Sequence, residues 1–179
     1  MDSGESIPKQ PISNGPGSDN SPILQIIDFD LIRDTNKFLP VFWQAWLFIF
    51  GEDRSAMQRI TIAGEERQAT EIEGLLYWYL FDQSSKIRIA LYDNEIVGFV
   101  IYNEVLETVL AIRILYALPG LVGTKTGYRL IDSLPGIKTV IFQTVREIEP
   151  EQMFSITRGR QVKLNETPEM ITWAMNWEK

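Results

Sequence analysis

The 179-residue sequence contains no cysteine and no histidine. Without cysteine there is no disulfide bond, no thiolate nucleophile and no cysteine-based zinc site. Without histidine the chain also lacks the commonest general base and the commonest metal ligand. Any catalysis therefore depends on carboxylates, tyrosine, lysine, backbone amides or water, and we expect no metal site.

Positive charge is scarce as well. The chain has 17 lysine and arginine residues against 24 aspartate and glutamate residues, which gives a formal net charge of −7. Nucleic-acid surfaces need clustered lysine and arginine to neutralise phosphates, and no basic run occurs in this sequence. We therefore expect no nucleic-acid partner.

Long apolar runs are also missing. The longest, residues 41–50, is too short to cross a bilayer, so no membrane span is expected. Residues 1–22 have no apolar core of the kind found in secretory signals, which favours a cytoplasmic protein.

Composition divides the chain in two. Residues 1–22 are rich in Gly, Pro, Ser, Asn and Asp, and they offer too little apolar area to offset the entropy lost on ordering. We expect a flexible tail, or alternatively an arm that orders against a partner. The remainder, residues 23–179, has the composition and length of one globular domain.

Hydrophobic periodicity predicts alternating strands and helices in this domain. The predicted strands are 23–29, 86–92, 96–105, 107–118, 138–146, 161–165 and 170–177. Residues 93–95 are predicted to be a tight turn that joins 86–92 and 96–105 in a hairpin, and 96–105 is apolar on both faces, as a central strand is. The predicted helices are 30–38, 41–50, 65–81, 121–134 and 149–158, with the first ending before Pro40 because proline disfavours helical backbone in the residue before it. Residues 51–64 are predicted to be a linker with a possible short strand at 59–63.

Residues 38–50 carry six aromatic side chains in 13 positions. The segment is apolar on every face, unlike an ordinary surface helix. It is either a helix inside the core or a helix with one face on the core and the other on a ligand, a protein partner or a second copy of the chain. In the second interpretation the interface residues are Phe42, Trp43, Trp46 and Phe50.

A strand, a glycine-containing turn and a helix follow one another over residues 112–131. Glycine lets the backbone approach a phosphate closely, and the free N–H groups of a helix's first turn point towards it. This unit is therefore a candidate anion site.

The order of elements over residues 23–179 resembles the GCN5-related N-acetyltransferase (GNAT) fold. The resemblance implies a mixed α/β domain with a mostly antiparallel central sheet flanked by helices, in the order β-α-α-β-β-β-α-β-α-β-β. In that family a strand ending in proline, here Pro119, leads to a turn whose amides bind the pyrophosphate of coenzyme A. The coenzyme-binding residues that the resemblance implies are Leu115, Ala117, Val122, Gly123, Thr124, Lys125, Thr126 and Gly127.

The turn departs from the family pattern at two of three defining positions. Val122 replaces a glutamine or arginine, which removes a polar group. Lys125 replaces the central glycine, which adds a Cβ where the backbone would approach phosphate and restricts φ; its ammonium group compensates only as a point charge. Gly127 fits the last position.

Catalytic candidates are few. Family members often use a tyrosine on the last helix as general acid, but the matching stretch, residues 152–159, has Phe154 and no tyrosine. The remaining candidates are Glu104, Glu107 and Tyr116.

Two functions are consistent with these features. The first is a non-catalytic structural or interaction protein without a cofactor, which resembles tailed-phage virion proteins with acetyltransferase-like folds. The second is an acetyl-CoA-dependent N-acetyltransferase in which an amine attacks the thioester directly and a backbone amide near 115–117 polarises the carbonyl.

Overall fold

The computed structural model describes residues 23–50, 59–62, 65–68, 72–119, 125–136, 139–145, 161–168 and 170–177. The strands are β1 (Gln25–Asp28), β2 (Arg59–Ile62), β3 (Glu65–Gln68), β4 (Lys86–Tyr92), β5 (Glu95–Leu106), β6 (Val109–Ala117), β7 (Thr139–Val145), β8 (Gln161–Glu166) and β9 (Met170–Asn176). The helices are α1 (Leu31–Phe50), α2 (Ile72–Tyr77) and α3 (Thr126–Asp132), and α2 continues into a π-helical turn at Trp78–Asp82.

Seven strands form one sheet in the order β1-β4-β5-β6-β7-β9-β8, and β2 and β3 form a separate hairpin. Neighbouring strands in the described sheet run antiparallel, apart from β6 and β7, which are parallel. The predicted mixed α/β class with a mostly antiparallel sheet is confirmed. None of the described helices combines the length and apolar character needed to span a membrane.

The first helix differs from the prediction, because segments 30–38 and 41–50 form the single helix α1 with Pro40 inside it. Proline inside a helix removes one hydrogen bond and costs about 3 kcal/mol. The helix continues because Phe38, Phe42 and Trp46 lie on one face and are 0%, 0% and 3% exposed. Burial of this face outweighs the local cost of the proline.

The start of α1 is fixed by two carboxylates. Oδ1 of Asp30 accepts hydrogen bonds from the N–H groups of Ile32 (3.0 Å) and Arg33 (2.8 Å), and Oδ2 of Asp34 accepts one from the N–H of Asp30 (2.8 Å). Together they satisfy N–H groups that have no partner within the helix. The hydrogen bond from the Arg33 side chain lowers the pKa of Asp34.

The predicted helix 65–81 starts later than expected. Residues 65–68 are strand β3, paired with β2 from Ile62↔Glu65 to Arg59↔Gln68, and the helix begins at Ile72. Strand β2 falls within the possible short strand predicted at 59–63, and its pairing with 65–68 outweighs the helical periodicity of this stretch. The predicted helix 149–158 and the tail 1–22 lie outside the described residues.

The sheet has a hydrophobic cluster on each face. On one face α1 and α2 pack against β4, β5 and β6, and the ring of Phe99 lies 4.9 Å from that of Phe38 and 5.8 Å from that of Phe42. On the other face α3 packs through Leu130 and Ile131. The aromatic helix is therefore mainly a core element, and its apolar residues hold the first face together.

We predict that Phe42→Ala lowers the free energy of unfolding by about 3–5 kcal/mol, because a buried phenyl ring is replaced by a cavity. Phe48→Ala is the matched control, since Phe48 lies on the same helix and is 77% exposed. Urea unfolding followed by circular dichroism measures both. Equal losses in the two variants would contradict the core assignment of α1.

Candidate functional site

The parallel strands β6 and β7 separate partway along the sheet. They pair only at residues 109–111 with 139–141. Beyond these pairs, the described part of β6 pairs only with β5, and the described part of β7 pairs only with β9. Within the described residues, the C-terminal half of β6 therefore has no paired strand on its β7 side. We call the space beside this part of β6 the opening.

Backbone groups of β6 face this opening. The N–H of Leu118 donates to the carbonyl of Val97 on β5 at 2.8 Å. Because N–H and C=O directions alternate along an antiparallel strand, those of Leu115 and Ala117 point away from β5 and into the opening. These residues were predicted from the sequence to contact a coenzyme, and the structure places them at the edge of the gap.

The first turn of α3 lies next to the same end of β6. A Cβ atom added at Gly98 would lie 2.8 Å from the carbonyl oxygen of Tyr116 and 2.9 Å from Cγ2 of Thr126. One added at Gly127 would lie 3.8 Å from Cδ2 of Leu115, an ordinary contact. Of the predicted coenzyme-binding residues, Leu115, Ala117 and 125–127 are thus brought together, and 122–124 lie outside the described residues.

Lys125 directly precedes α3 and has a left-handed backbone, with φ 50° and ψ 37°. Its carbonyl accepts the N–H of Arg129 at 2.9 Å, so it begins the helical hydrogen bonding. Left-handed backbone costs a non-glycine residue roughly 1–2 kcal/mol. From the sequence we expected a lysine to restrict φ at this position. In the structure Lys125 nevertheless has the left-handed backbone that glycine adopts freely.

The predicted catalytic residues do not converge at the opening. Glu104 pairs with Leu110 at the far end of β6, and its carboxylate binds Nζ of Lys86 at 2.7 Å. Glu107 is an exposed residue in the turn between β5 and β6. Tyr116 faces the α1 side of the sheet, where its ring lies 6.2 Å from Phe48, and burial raises its pKa.

Carboxylates are rare around the opening. The sequences of β6 and β7 contain none, and α3 has only Asp132, at its last position. Oδ1 of Asp132 accepts a hydrogen bond from Nε1 of Trp177 at 3.2 Å. The described residues of β6, β7 and α3 therefore supply no carboxylate base near Leu115 and Ala117.

The residues predicted as an interface have different environments. Phe42 and Trp46 are buried in the core of the single chain, Trp43 is half-buried, and the side chain of Phe50 lies outside the described part. Other aromatic residues are more exposed, namely Phe48 (77%) and Phe81 (65%).

The sequence pattern did not predict a polar group centred on Arg113. Nε of Arg113 donates to Oδ1 of Asn103 at 2.8 Å, and Oγ of Ser85 donates to the same oxygen at 3.1 Å. Nδ2 of Asn103 donates to the carbonyl of Gln83 at 2.6 Å. The available signal was that Arg113 is the one charged residue in the sequence of β6.

No cluster of three or more potential acidic metal ligands occurs within the described residues.

The sequence matches no protein-family model and no curated protein sequence. Solved structures with a similar fold include the PaiA N-acetyltransferase of Thermoplasma acidophilum in complex with coenzyme A, at 14% identity and a TM-score of 0.61, with 86% of this chain and 99% of that one covered. An acetyltransferase of Thermus thermophilus matches at 14% identity and a TM-score of 0.58, with 87% and 97% covered. A GNAT-family acetyltransferase of Elizabethkingia anophelis with acetyl-CoA bound matches at 13% identity and a TM-score of 0.51, with 86% and 98% covered.

These similarities establish the fold: the chain has the architecture of the GNAT acetyltransferases. At such low sequence identity they carry no information about activity.

We predict that Gly98→Ala destabilises the protein by about 1–3 kcal/mol, because the new methyl group would overlap the backbone oxygen of Tyr116. Gly74→Ala is the control. Gly74 lies in α2 with nothing within 4 Å of an added Cβ, so this change should stabilise by about 0.5–1 kcal/mol. Urea denaturation measures both changes, and a neutral Gly98→Ala would contradict the close contacts of position 98 with Tyr116 and Thr126.

Lys125→Gly should raise the free energy of unfolding by roughly 0.5–1 kcal/mol, because relief of the left-handed backbone exceeds the added entropy of the unfolded chain. Lys125→Ala removes the charge but keeps a Cβ, so it should give no such gain. A gain in Lys125→Ala equal to that in Lys125→Gly would assign the effect to charge instead of backbone strain.

Proposed function

We propose that this protein keeps the acetyltransferase scaffold without acetyl transfer and acts through contacts with other proteins. The observation that carries the proposal is Lys125. It stands at the position that the resemblance assigns to the central glycine of the pyrophosphate-binding turn, directly before the first N–H groups of α3.

Lys125 changes the turn while preserving its backbone. The φ of 50° is one that glycine adopts without strain, so the main chain keeps a glycine-like path into α3. The residue nevertheless adds a Cβ and a long flexible side chain at a point where the family brings bare backbone against phosphate. In a protein whose function is to bind coenzyme A, we would expect neither the backbone strain nor the added side chain at this position.

The surroundings of the opening support the same proposal. Glu104 is engaged with Lys86 at the far end of the sheet, and Tyr116 faces the aromatic core instead of the α3 side. An amine needs a proton acceptor before it attacks a thioester, and near-attack geometry alone does not provide one. The described residues of β6, β7 and α3 thus place no carboxylate beside the N–H groups of Leu115 and Ala117 to accept a proton.

Exposed aromatic residues on the α1 and α2 side are the proposed contact surface for a protein partner or a second copy of the chain. Phe48 is 77% exposed, and the rings of Tyr77 and Phe81 lie 6.1 Å apart with 37% and 65% of each residue exposed. Large aromatic side chains contribute strongly to protein interfaces. A tailed-phage virion is one assembly in which such a protein would act, and the cytoplasm is the alternative location.

A second function, acetyl-CoA-dependent N-acetylation, is favoured by the opening itself. The N–H groups of Leu115 and Ala117 point into it, as a group that polarises a thioester carbonyl must. In this alternative an amine attacks the carbonyl carbon directly, the C–S bond breaks and the thiolate takes up a proton. Two of the similar structures contain coenzyme A or acetyl-CoA, which supports a coenzyme at the corresponding place here.

Isothermal titration calorimetry with acetyl-CoA separates the two functions. We expect no saturable heat with the full chain at acetyl-CoA concentrations up to about 1 mM. We also expect no thermal stabilisation, because only a ligand that binds the native state would raise its stability. The PaiA acetyltransferase, whose structure holds coenzyme A, is the positive control for the titration.

Saturable binding of acetyl-CoA to the wild type would contradict the scaffold proposal. Release of free coenzyme A in the presence of an amine, measured as new thiol, would support the second function, N-acetylation, in place of the scaffold proposal. Gly127→Trp should then abolish binding, while Gly127→Ala should retain it, because an added Cβ at this position makes only ordinary contact with Leu115.

A further inference from the structure

The polar group around Arg113 lies near the base of the opening between β6 and β7, on the face of the sheet that α1 and α2 cover. The last pairing between the two strands is at Ala111. Arg113 follows two residues later, at an irregularity where Tyr102 pairs with Ile112 and Ile101 with Ile114. The extra residue is a β-bulge, a feature that redirects side chains and often occurs beside functional sites.

The guanidinium of Arg113 is bound by Asn103, which two further groups hold in place. Asn103 accepts from its Nε at 2.8 Å, and Asn103 is itself held by the hydroxyl of Ser85 and the carbonyl of Gln83. Ser85 is only 5% exposed, so this support is rigid. An arginine bound through Nε keeps both terminal nitrogens available, side by side, for a planar acceptor.

Arg113 of β6 differs from Arg33 of α1 and Arg88 of β4, which both bind carboxylates of the protein. Arg33 pairs with Asp34 at 2.6 Å, and Arg88 pairs with Asp28 at 2.8 Å. Arg113 pairs with no carboxylate in the described structure, although the chain has more acidic than basic residues. Its side chain is accessible to solvent, so a ligand can reach it.

The π-helical turn is joined to this polar group through Ser85, whose N–H donates to the carbonyl of Tyr79 at 2.8 Å. Tyr79 lies in this turn, and burial raises its pKa to about 12 against the opposing effect of Arg113, so the hydroxyl stays protonated at neutral pH. The ring of Trp78 is 5.0 Å from that of Tyr79, and its buried Nε1 has no hydrogen-bond partner among the described residues. Single π-helical turns are rare and occur frequently at functional sites.

From this arrangement we infer that Arg113, positioned by Asn103 and Ser85 beside Tyr79, binds the carboxylate of a small molecule at the α1 and α2 side of the opening. A carboxylate is planar and carries a single charge, so it matches one guanidinium in both respects, whereas phosphate is tetrahedral and is partly a dianion at pH 7. The inference rests on neither function proposed above, because it uses neither the turn before α3 nor a coenzyme.

The test is an NMR titration of the full 15N-labelled chain, observing the Nε–H signal of Arg113. The probes are sodium acetate, sodium chloride and sodium phosphate at matched ionic strength and pH 7. We expect acetate to shift this signal along a saturable curve. Chloride and phosphate should produce no comparable saturation.

Arg113→Gln should weaken acetate binding roughly 10- to 100-fold, the effect of losing a charged hydrogen-bonded pair. Because that variant loses its own reporter signal, the side-chain amide of Asn103 and changes in thermal stability with acetate serve as the common readout. Arg33→Gln is the matched control: it removes the same charge from an exposed position on α1 and should leave acetate binding unchanged.

Asn103→Ala keeps the Arg113 signal and charge but removes the group that orients the guanidinium. It should weaken binding by at least about threefold, because preorganisation is lost. A linear acetate response, equal saturation with chloride or phosphate, or equal weakening in Arg113→Gln and Arg33→Gln would each overturn the inference.

Discussion

The contact between the first turn of α3 and the backbone of β5 is the constraint on which the central part of the molecule depends. Only a residue without a Cβ at position 98 leaves room for Cγ2 of Thr126 and the carbonyl of Tyr116. This contact holds the start of α3 beside the end of β6, next to the place where β6 and β7 separate. The opening, its backbone groups and the start of α3 therefore lie together at one end of β6.

Much of this arrangement could be predicted from the sequence, because local rules and burial agree there. The alternating pattern of β4 and the tight turn after it predicted a hairpin, and Asp93 and Asn94 take the positive φ values, 53° and 62°, of a two-residue turn. β5 was predicted as a central strand from its apolar character on both faces, and it pairs on both edges. The prediction divided α1 at Pro40, because the rule that proline ends a helix is local. That rule takes no account of the burial of Phe38 and Phe42 on either side of the proline.

Less of the site could be predicted. The sequence identified Leu115, Ala117 and the residues that begin α3, since strand, turn and helix are local signals. It did not predict the left-handed Lys125, because the packing around a turn decides whether strain is tolerated. Nor did it predict the Arg113 group, whose members come from β5, β6 and the loop after the π-helical turn and meet only in the folded sheet.

The energetics explain how the scaffold would persist under the proposed function, without acetyl transfer. Each large aromatic residue buried beneath α1 contributes several kcal/mol, whereas the strain at Lys125 costs only about 1–2 kcal/mol. A lysine at position 125 therefore leaves the sheet and the start of α3 in place, because the strain there is small beside the burial under α1. The fold alone does not fix the function, which has to be argued from side chains such as Lys125 and Arg113.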